Sequence, residues 1–133
     1  MRDFPIDRIM TADPATVGPQ DSVVEAQRCL QNHFIHHLPV VEGGRLVGMV
    51  SSSDLLKLHL LDDKLTLRMQ ATVGQIMESN VVVINRSATL RDAAEKLSVG
   101  GFHALPVIDR KRRLVGMVTS SDLIGVLVST LDN

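Results

Sequence analysis

Apolar and polar positions run through one order along this chain and then run through it again. In the first half, Val23, Ala26, Gln27 and Leu30 keep helical spacing behind Asp21-Ser22-Val23-Val24-Glu25. Ser22 and Glu25 form a capping-box pattern there, so a helix is expected to about His33. Two strand-like runs follow, Leu38 to Val41 and Arg45 to Val50, separated by Glu42-Gly43-Gly44, which is hairpin chemistry. A second helix is expected from about Ser53. Its Leu55, Leu56, Leu58, Leu60 and Leu61 do not fit on one face, so it has more than one surface to bury.

The second half repeats each step. Thr89-Leu90-Arg91-Asp92 opens a helix to about Ser98, a hairpin is expected over Leu105 to Ile108 and Arg113 to Val118, and a last helix starts near Ser121, with Leu123, Ile124, Val126, Leu127 and Val128 again apolar nearly all round. Side-by-side matching makes the duplication explicit. Ile9-Met10 returns as Ile76-Met77, and His36-His37-Leu38-Pro39-Val40-Val41 returns as His103-Ala104-Leu105-Pro106-Val107-Ile108, both 67 positions on. Beyond the hairpin turn the spacing is 68, because the second turn is one residue longer. The chain is therefore two copies of one unit, a pseudo-symmetric pair rather than a solenoid. The division expected from the repeat is 1–68 and 69–133, with a connector beginning at Asp62-Asp63-Lys64, helical at first and ending before Gly74.

The most alike stretches are Leu46-Val47-Gly48-Met49-Val50-Ser51-Ser52-Ser53-Asp54 and Leu114-Val115-Gly116-Met117-Val118-Thr119-Ser120-Ser121-Asp122. Each reads as a strand feeding the start of a helix. A hydroxyl and a carboxylate at a helix N-terminus, beside a glycine that lets another molecule approach the backbone, suit a sugar-phosphate ligand. The same residues also make an ordinary helix cap. Both readings stand on the motif alone.

Composition narrows the classes. Hydrophobic residues are 44% and charged residues 22%, as in a globular protein, and with Phe4, Phe34 and Phe102 the only aromatics the core must be aliphatic. A net charge of −1 gives no electrostatic reason to expect nucleic acid or an acidic membrane. The single Cys29 has no internal partner, which fits a reduced thiol in the cytoplasm. No apolar run is long enough to span a bilayer, and the first residues lack the apolar stretch of a signal peptide. His33, His36 and His37 lack the Cys or carboxylate that would complete a metal set, so no metal is expected. Arg110-Lys111-Arg112-Arg113 reads as a solvated hairpin tip that leaves room for contact with a partner or a distant phosphate. Ser51, His36 and Asp54 lack a nucleophile-elbow pattern, so catalysis is not expected.

A duplicated unit with Leu-Pro-Val on the first hairpin strand and Leu-Val-Gly-Met-Val-(Ser/Thr)-x-x-Asp on the second resembles a CBS domain. Two in tandem, from about Ile6 to Leu127, resemble the CBS pair or Bateman module. The resemblance implies an α/β (α+β) fold of two units, each a small sheet flanked by two helices. It also implies clefts between the units, dimerisation, and regulation of another protein by an adenosine-containing ligand, with AMP, ADP or ATP foremost and S-adenosylmethionine or NAD also in the family's range.

Carried over by position, one cleft would use Thr119, Ser121, Asp122 and Met117 with Ala15, Thr16, Ile35, His36 and His37. The other would use Ser51, Asp54 and Met49 with Val82, Phe102 and His103. In this scheme the aspartate accepts a ribose diol, the hydroxyl and histidines serve phosphate, and the apolar residues flank the base. Where many nucleotide-binding members place a basic residue before Leu-Pro-Val, this chain has His37 and Ala104, so the two clefts are not equivalent. The expectation is a cytoplasmic, homodimeric, energy-sensing module with no required cofactor, an adenine nucleotide as regulatory ligand and an unidentified effector protein. The alternative is a dimerisation or docking scaffold without ligand.

Overall fold

The computed structural model describes residues 4–61, 71–100 and 103–131. The chain divides into two compact units, one formed by residues 15–81 and the other by residues 1–14 together with 82–133. The packing boundary therefore differs from the boundary of the sequence repeat at 68/69. Each copy's leading segment packs with the other copy's hairpin, for reasons that are local and physical.

In the unit of residues 15–81, α1 (Val23–His33) is followed by β2 (His37–Glu42), β3 (Arg45–Ser51) and α2 (Ser52–Leu61), with a short α3 (Val73–Ile76) after the connector. The helix starts and strand limits fall within a residue or two of those expected. Only α3 was not anticipated, since the connector was expected to end before Gly74; residues 62–70 lie outside the described part. Ser22 begins α1 by accepting a hydrogen bond from the Glu25 amide at 3.0 Å, the hydroxyl half of the expected capping box. β2 and β3 pair antiparallel from His37↔Ser51 to Glu42↔Arg45. Their turn is carried by Gly43 and Gly44 at φ 59° and 81°, the left-handed region that a tight hairpin needs. Val17 runs parallel beside Val40, and Glu78 pairs antiparallel with Met49 on the other edge.

The other unit follows the same plan with longer edges. It contains a 3-10 turn (Ile6–Arg8), β1 (Thr11–Ala12), β4 (Ile84–Asn85), α4 (Leu90–Val99), β5 (Ala104–Ile108), β6 (Leu114–Thr119) and α5 (Ser120–Leu131). Its sheet order is β1-β6-β5-β4, with β4 parallel to β5 and the other pairs antiparallel. Thr89 and Asp92 form a complete capping box at the start of α4.

Both cores are aliphatic. One gathers Val17, Val23, Ala26, Leu30, Leu38, Val40, Val50, Leu55 and Val73. The other gathers Ile6, Ile84, Ala93, Leu105, Val107 and Val118. Ile6 and Val73 belong to the exchanged leading segments and are fully buried, each stabilising its unit by about 1.5–3 kcal/mol.

The same segments explain the glycine in each repeated strand. A Cβ on Gly48 would lie 2.5 Å from Met77 Sδ and 3.0 Å from the Glu78 carbonyl oxygen; on Gly116 it would lie 2.5 Å from Met10 Sδ and 3.0 Å from the Thr11 oxygen. The glycines were expected to let a ligand approach the backbone. The structure corrects this: a methionine side chain and a neighbouring strand already occupy that space.

Replacing Gly48 or Gly116 by alanine should therefore cost about 1–3 kcal/mol through overpacking. The Gly48→Ala/Met77→Ala pair should lose less than the sum of its single losses. Urea unfolding followed by circular dichroism measures this in a chain without Trp or Tyr; strict additivity would show that Met77 does not fill the space over Gly48.

Candidate functional site

The strongest concentration of chemistry lies where β3 passes into α2 and where β6 passes into α5. Residues on a strand alternate between faces. Val50 turns to the aliphatic core of its unit, as Val118 does in the other, so Met49 and Ser51, like Met117 and Thr119, take the opposite face. Directly across the hairpins, His37 stands opposite Ser51, and Ala104 stands opposite Thr119.

At each junction the helix begins with a reciprocal box. The Ser51 amide donates to Asp54 Oδ2 at 2.9 Å, and the Asp54 amide donates to Ser51 Oγ at 3.2 Å. The second junction repeats this closely, from the Thr119 amide to Asp122 Oδ2 at 2.8 Å and from the Asp122 amide to Thr119 Oγ1 at 3.2 Å. The capping reading is thus realised in both copies. It does not exhaust either side chain: one carboxylate oxygen accepts from the helix start and leaves the other, while an accepting hydroxyl still has a proton to donate.

The histidines are tied to the same places through the backbone. The Ser52 amide donates to the His36 carbonyl oxygen at 2.9 Å, and the Ser120 amide donates to the His103 carbonyl oxygen at the same distance. The His36 ring lies 3.4 Å from Ser52 Oγ rather than against Ser51, so the imidazole does not meet the hydroxyl that a Ser-His-Asp arrangement would require.

The remaining expected site residues sort by unit. Ala15 and Ile35 pack at the edge of the core of residues 15–81, with Thr16 exposed beside Val17. The parallel bridge of Val17 to Val40 carries Ala15 and Thr16 toward the end of β2 where His37 stands. Val82 is 45% exposed and lies two residues before β4, in the position equivalent to Ala15. Ser121 and His103 are exposed, and Phe102 lies outside the described residues. Met49 and Met117 are only 8% and 6% exposed, so they offer an edge rather than a broad face. Each unit by itself thus holds an aspartate, a hydroxyl and a histidine segment at one end of one hairpin.

Among the described residues, no group of three His, Cys, Asp or Glu side chains is close enough to hold a metal ion. Cys29 is half-buried on α1, and burial pushes its thiol pKa up, which disfavours a reactive thiolate. No helix of the described residues is long and apolar enough to cross a membrane.

Two hairpins of one design, each delivering a hydroxyl and an aspartate to a helix start, define a tandem pair of ligand-site folds of the CBS type. The CBS domain family model matches residues 6–60 and 73–129, and the chain belongs to that family, with its two domains forming a Bateman module. Among solved structures it is similar to CBSX2 from Arabidopsis thaliana in complex with AMP, with a TM-score of 0.83 and 29% identity over 96% of this chain and 98% of that one. It is also similar to the CBS domain pair of protein MJ0100 in complex with 5′-methylthioadenosine and S-adenosyl-L-methionine, with a TM-score of 0.83 and 32% identity over 95% of this chain and 97% of that one. Among curated relatives, the L-aspartate semialdehyde sulfurtransferase of Methanocaldococcus jannaschii is 35% identical over 116 residues, 86% of this chain but 21% of that protein. The chain therefore spans about a fifth of that relative's length.

Of the two readings the motif allows, the structure shows the cap in both copies; the part taken by Ser52 and Ser120 was not anticipated. Their amides fix the histidine segments through the backbone, a contact that no side-chain pattern signals.

If the aspartates hold the helix starts, Asp54→Ala and Asp122→Ala should each lose about 0.5–2 kcal/mol in urea unfolding. Asparagine at either position should lose much less, since its side-chain oxygen still accepts from the same amide. Equal losses for Ala and Asn would mean that the carboxylate charge, not the acceptor, holds the helix start.

Proposed function

We propose that this protein is a regulatory module that binds an adenosine-containing ligand and changes the behaviour of a partner protein. The observation that carries the reading is the pair of half-used aspartates: each spends one carboxylate oxygen on the helix start and has a second for a ligand hydroxyl. A ribose diol is the natural donor to such an oxygen, and the free amide ends of a helix start favour phosphate beside it. The AMP complex of CBSX2 and the 5′-methylthioadenosine and S-adenosyl-L-methionine complex of the MJ0100 pair support adenosine as the common element.

In the proposed assignment, the ligand-contacting residues are Asp122, Thr119, Ser121 and Met117 in one unit, with Ala15, Thr16, Ile35, His36 and His37 as candidates in the other. Asp54, Ser51 and Met49 are the counterparts in the unit of residues 15–81, with Val82, Phe102 and His103 as further candidates. Binding rather than catalysis is the role proposed, with AMP, ADP or ATP as the first ligands to test and energy sensing in the cytoplasm as the setting. A ligand favouring one arrangement of the module over another would shift its population, and that is the means of regulation.

A thermal-shift series with AMP, ADP, ATP, S-adenosylmethionine and NAD tests the reading. A ligand at a hundredfold excess over its dissociation constant should stabilise by about 2.7 kcal/mol, a rise of several degrees. Asp122→Asn should reduce that rise while leaving the melting temperature without ligand near that of the wild type. No rise with any of the five at millimolar concentration would exclude the nucleotide reading.

The scaffold alternative has its own supporting observation. On α5, Ile124, Leu127, Val128 and Leu131 are 51–75% exposed, an apolar surface on a helix that buries no residue fully. We propose that a second copy of the chain covers it, as the expected homodimer requires. Sedimentation should give a dimer that Leu127→Glu/Val128→Glu converts to monomer. A monomeric wild-type protein at micromolar concentration would overturn the homodimer.

A further inference from the structure

The two hairpins end in turns of opposite chemistry. The β2–β3 turn is Glu42-Gly43-Gly44-Arg45, in which charge cancels and both glycines take the left-handed conformation. The β5–β6 turn is Asp109-Arg110-Lys111-Arg112-Arg113, and there an arginine, Arg112, holds a positive φ of 64°. A non-glycine residue in that region is strained. Glycine would relieve the strain, as it does in the twin turn, yet the position carries a cation.

Asp109 is what makes the basic turn a rigid object. Its Oδ1 accepts from the amides of Lys111 and Arg113, each at 2.9 Å, and its Oδ2 accepts from the Arg113 guanidinium at 2.8 Å. The Asp109 amide donates to the Arg113 carbonyl oxygen at 3.0 Å, and the Arg112 amide donates back to the Asp109 carbonyl oxygen at 3.0 Å. The one acidic group of the turn is thereby committed to internal donors. Beside it, the Arg86 amide donates to the Ile108 carbonyl oxygen at 2.9 Å, which fixes the backbone of a further arginine next to the turn. Ser87 donates to Asn85 Oδ1, so that loop is ordered as well.

These two loops border an open hollow of about 360 Å³, with Arg86, Arg110, Lys111 and Arg113 among its walls. Its free polar chemistry is almost wholly donor and cationic. It also lies at the opposite end of β5 and β6 from Thr119: Ile108 pairs with Leu114 at this end and Ala104 with Thr119 at the other. At roughly 3.3 Å per residue the two ends are about 15 Å apart.

We propose that this hollow is a second binding site, for a small polyanion presenting phosphoryl oxygens, separate from the adenosine site. Guanidinium groups match such oxygens in geometry as well as charge, and cations carried on two loops of fixed backbone can meet one anion from two sides. Inorganic tripolyphosphate is the probe, because it carries the anion without adenosine and so tests this site whatever the outcome at the aspartates. Titration at low salt, followed by backbone amide NMR, should saturate in the millimolar range or below, with the shifts centred on residues 85–87 and 109–113. Affinity should fall as salt rises. Arg86→Gln/Lys111→Gln should weaken binding by about tenfold, the effect of removing charged hydrogen bonds to the anion. Arg45→Gln on the twin hairpin should leave it unchanged. Failure to saturate, shifts centred on residues 119–122 instead, or equal weakening by Arg45→Gln would overturn the proposal.

Discussion

The fold depends on a methionine lying over a glycine, twice. Met77 fills the space above Gly48 and Met10 fills the space above Gly116, and each contact brings a leading segment alongside the edge of a hairpin. Met49 and Glu78 then exchange backbone hydrogen bonds at 2.9 Å in both directions, while β1 pairs with β6. From the same segments Val73 and Ile6 drop into the two cores. The Ala71 carbonyl accepts from the Val23 amide at 3.1 Å, and the Phe4 carbonyl accepts from the Leu90 amide at 2.8 Å, so each segment also closes the first turn of a helix. A single stretch of about nine residues covers a strand edge, fills a core position and satisfies a helix donor. No side chain larger than hydrogen on the strand would allow it to come so near.

That constraint decides what the candidate sites are made of. The strand leaving the glycine has one face committed to the core through Val50 or Val118, so its chemistry must be carried by the alternate residues, and the first of these beyond the methionine is the hydroxyl residue at the helix start. A helix start in turn needs acceptors for its open amides, and the aspartate supplies one. The helix start thus draws on one carboxylate oxygen, and the proposed ligand contact would draw on the other. Neither use displaces the other, because the amide takes one oxygen and a ligand hydroxyl needs only the second.

Much of this was legible in the residues. Helical spacing around Val23 to Leu30, the Gly-Gly turn and the matched motifs gave elements whose limits hold to within a residue or two, and the duplication gave the family. What could not be read was which hairpin each leading segment packs against. Ile9-Met10 and Ile76-Met77 are nearly the same sequence, so either would fit either glycine, and local pattern does not choose between two equivalent partners. For the same reason Gly48 and Gly116 looked like openings for a ligand: a missing side chain marks a close approach without saying what approaches. The junction residues were found, but their hydrogen-bond partners required coordinates, because Ser-x-x-Asp describes a cap and a site equally well.

The differences between the copies carry more information than their likeness. Where the fold alone sets the requirement, the twins agree: both have glycine under methionine, an aspartate three residues beyond the hydroxyl, and a proline paired with the buried methionine of the opposite strand. They part at the two ends of the hairpins. Opposite the hydroxyl stands His37 in one unit and Ala104 in the other, a change from a bulky polar ring to a methyl group on the same backbone register. At the far end, two glycines meet the conformational demand of one turn, while the other accepts a strained arginine and spends its only acid on its own amides and Arg113. Strain and self-neutralised charge bring no stability that the glycine turn lacks. The second unit keeps a cationic surface at one end of the sheet whose other end is built around a hydroxyl and a carboxylate, and two chemistries held that far apart on rigid strands can answer to two different ligands.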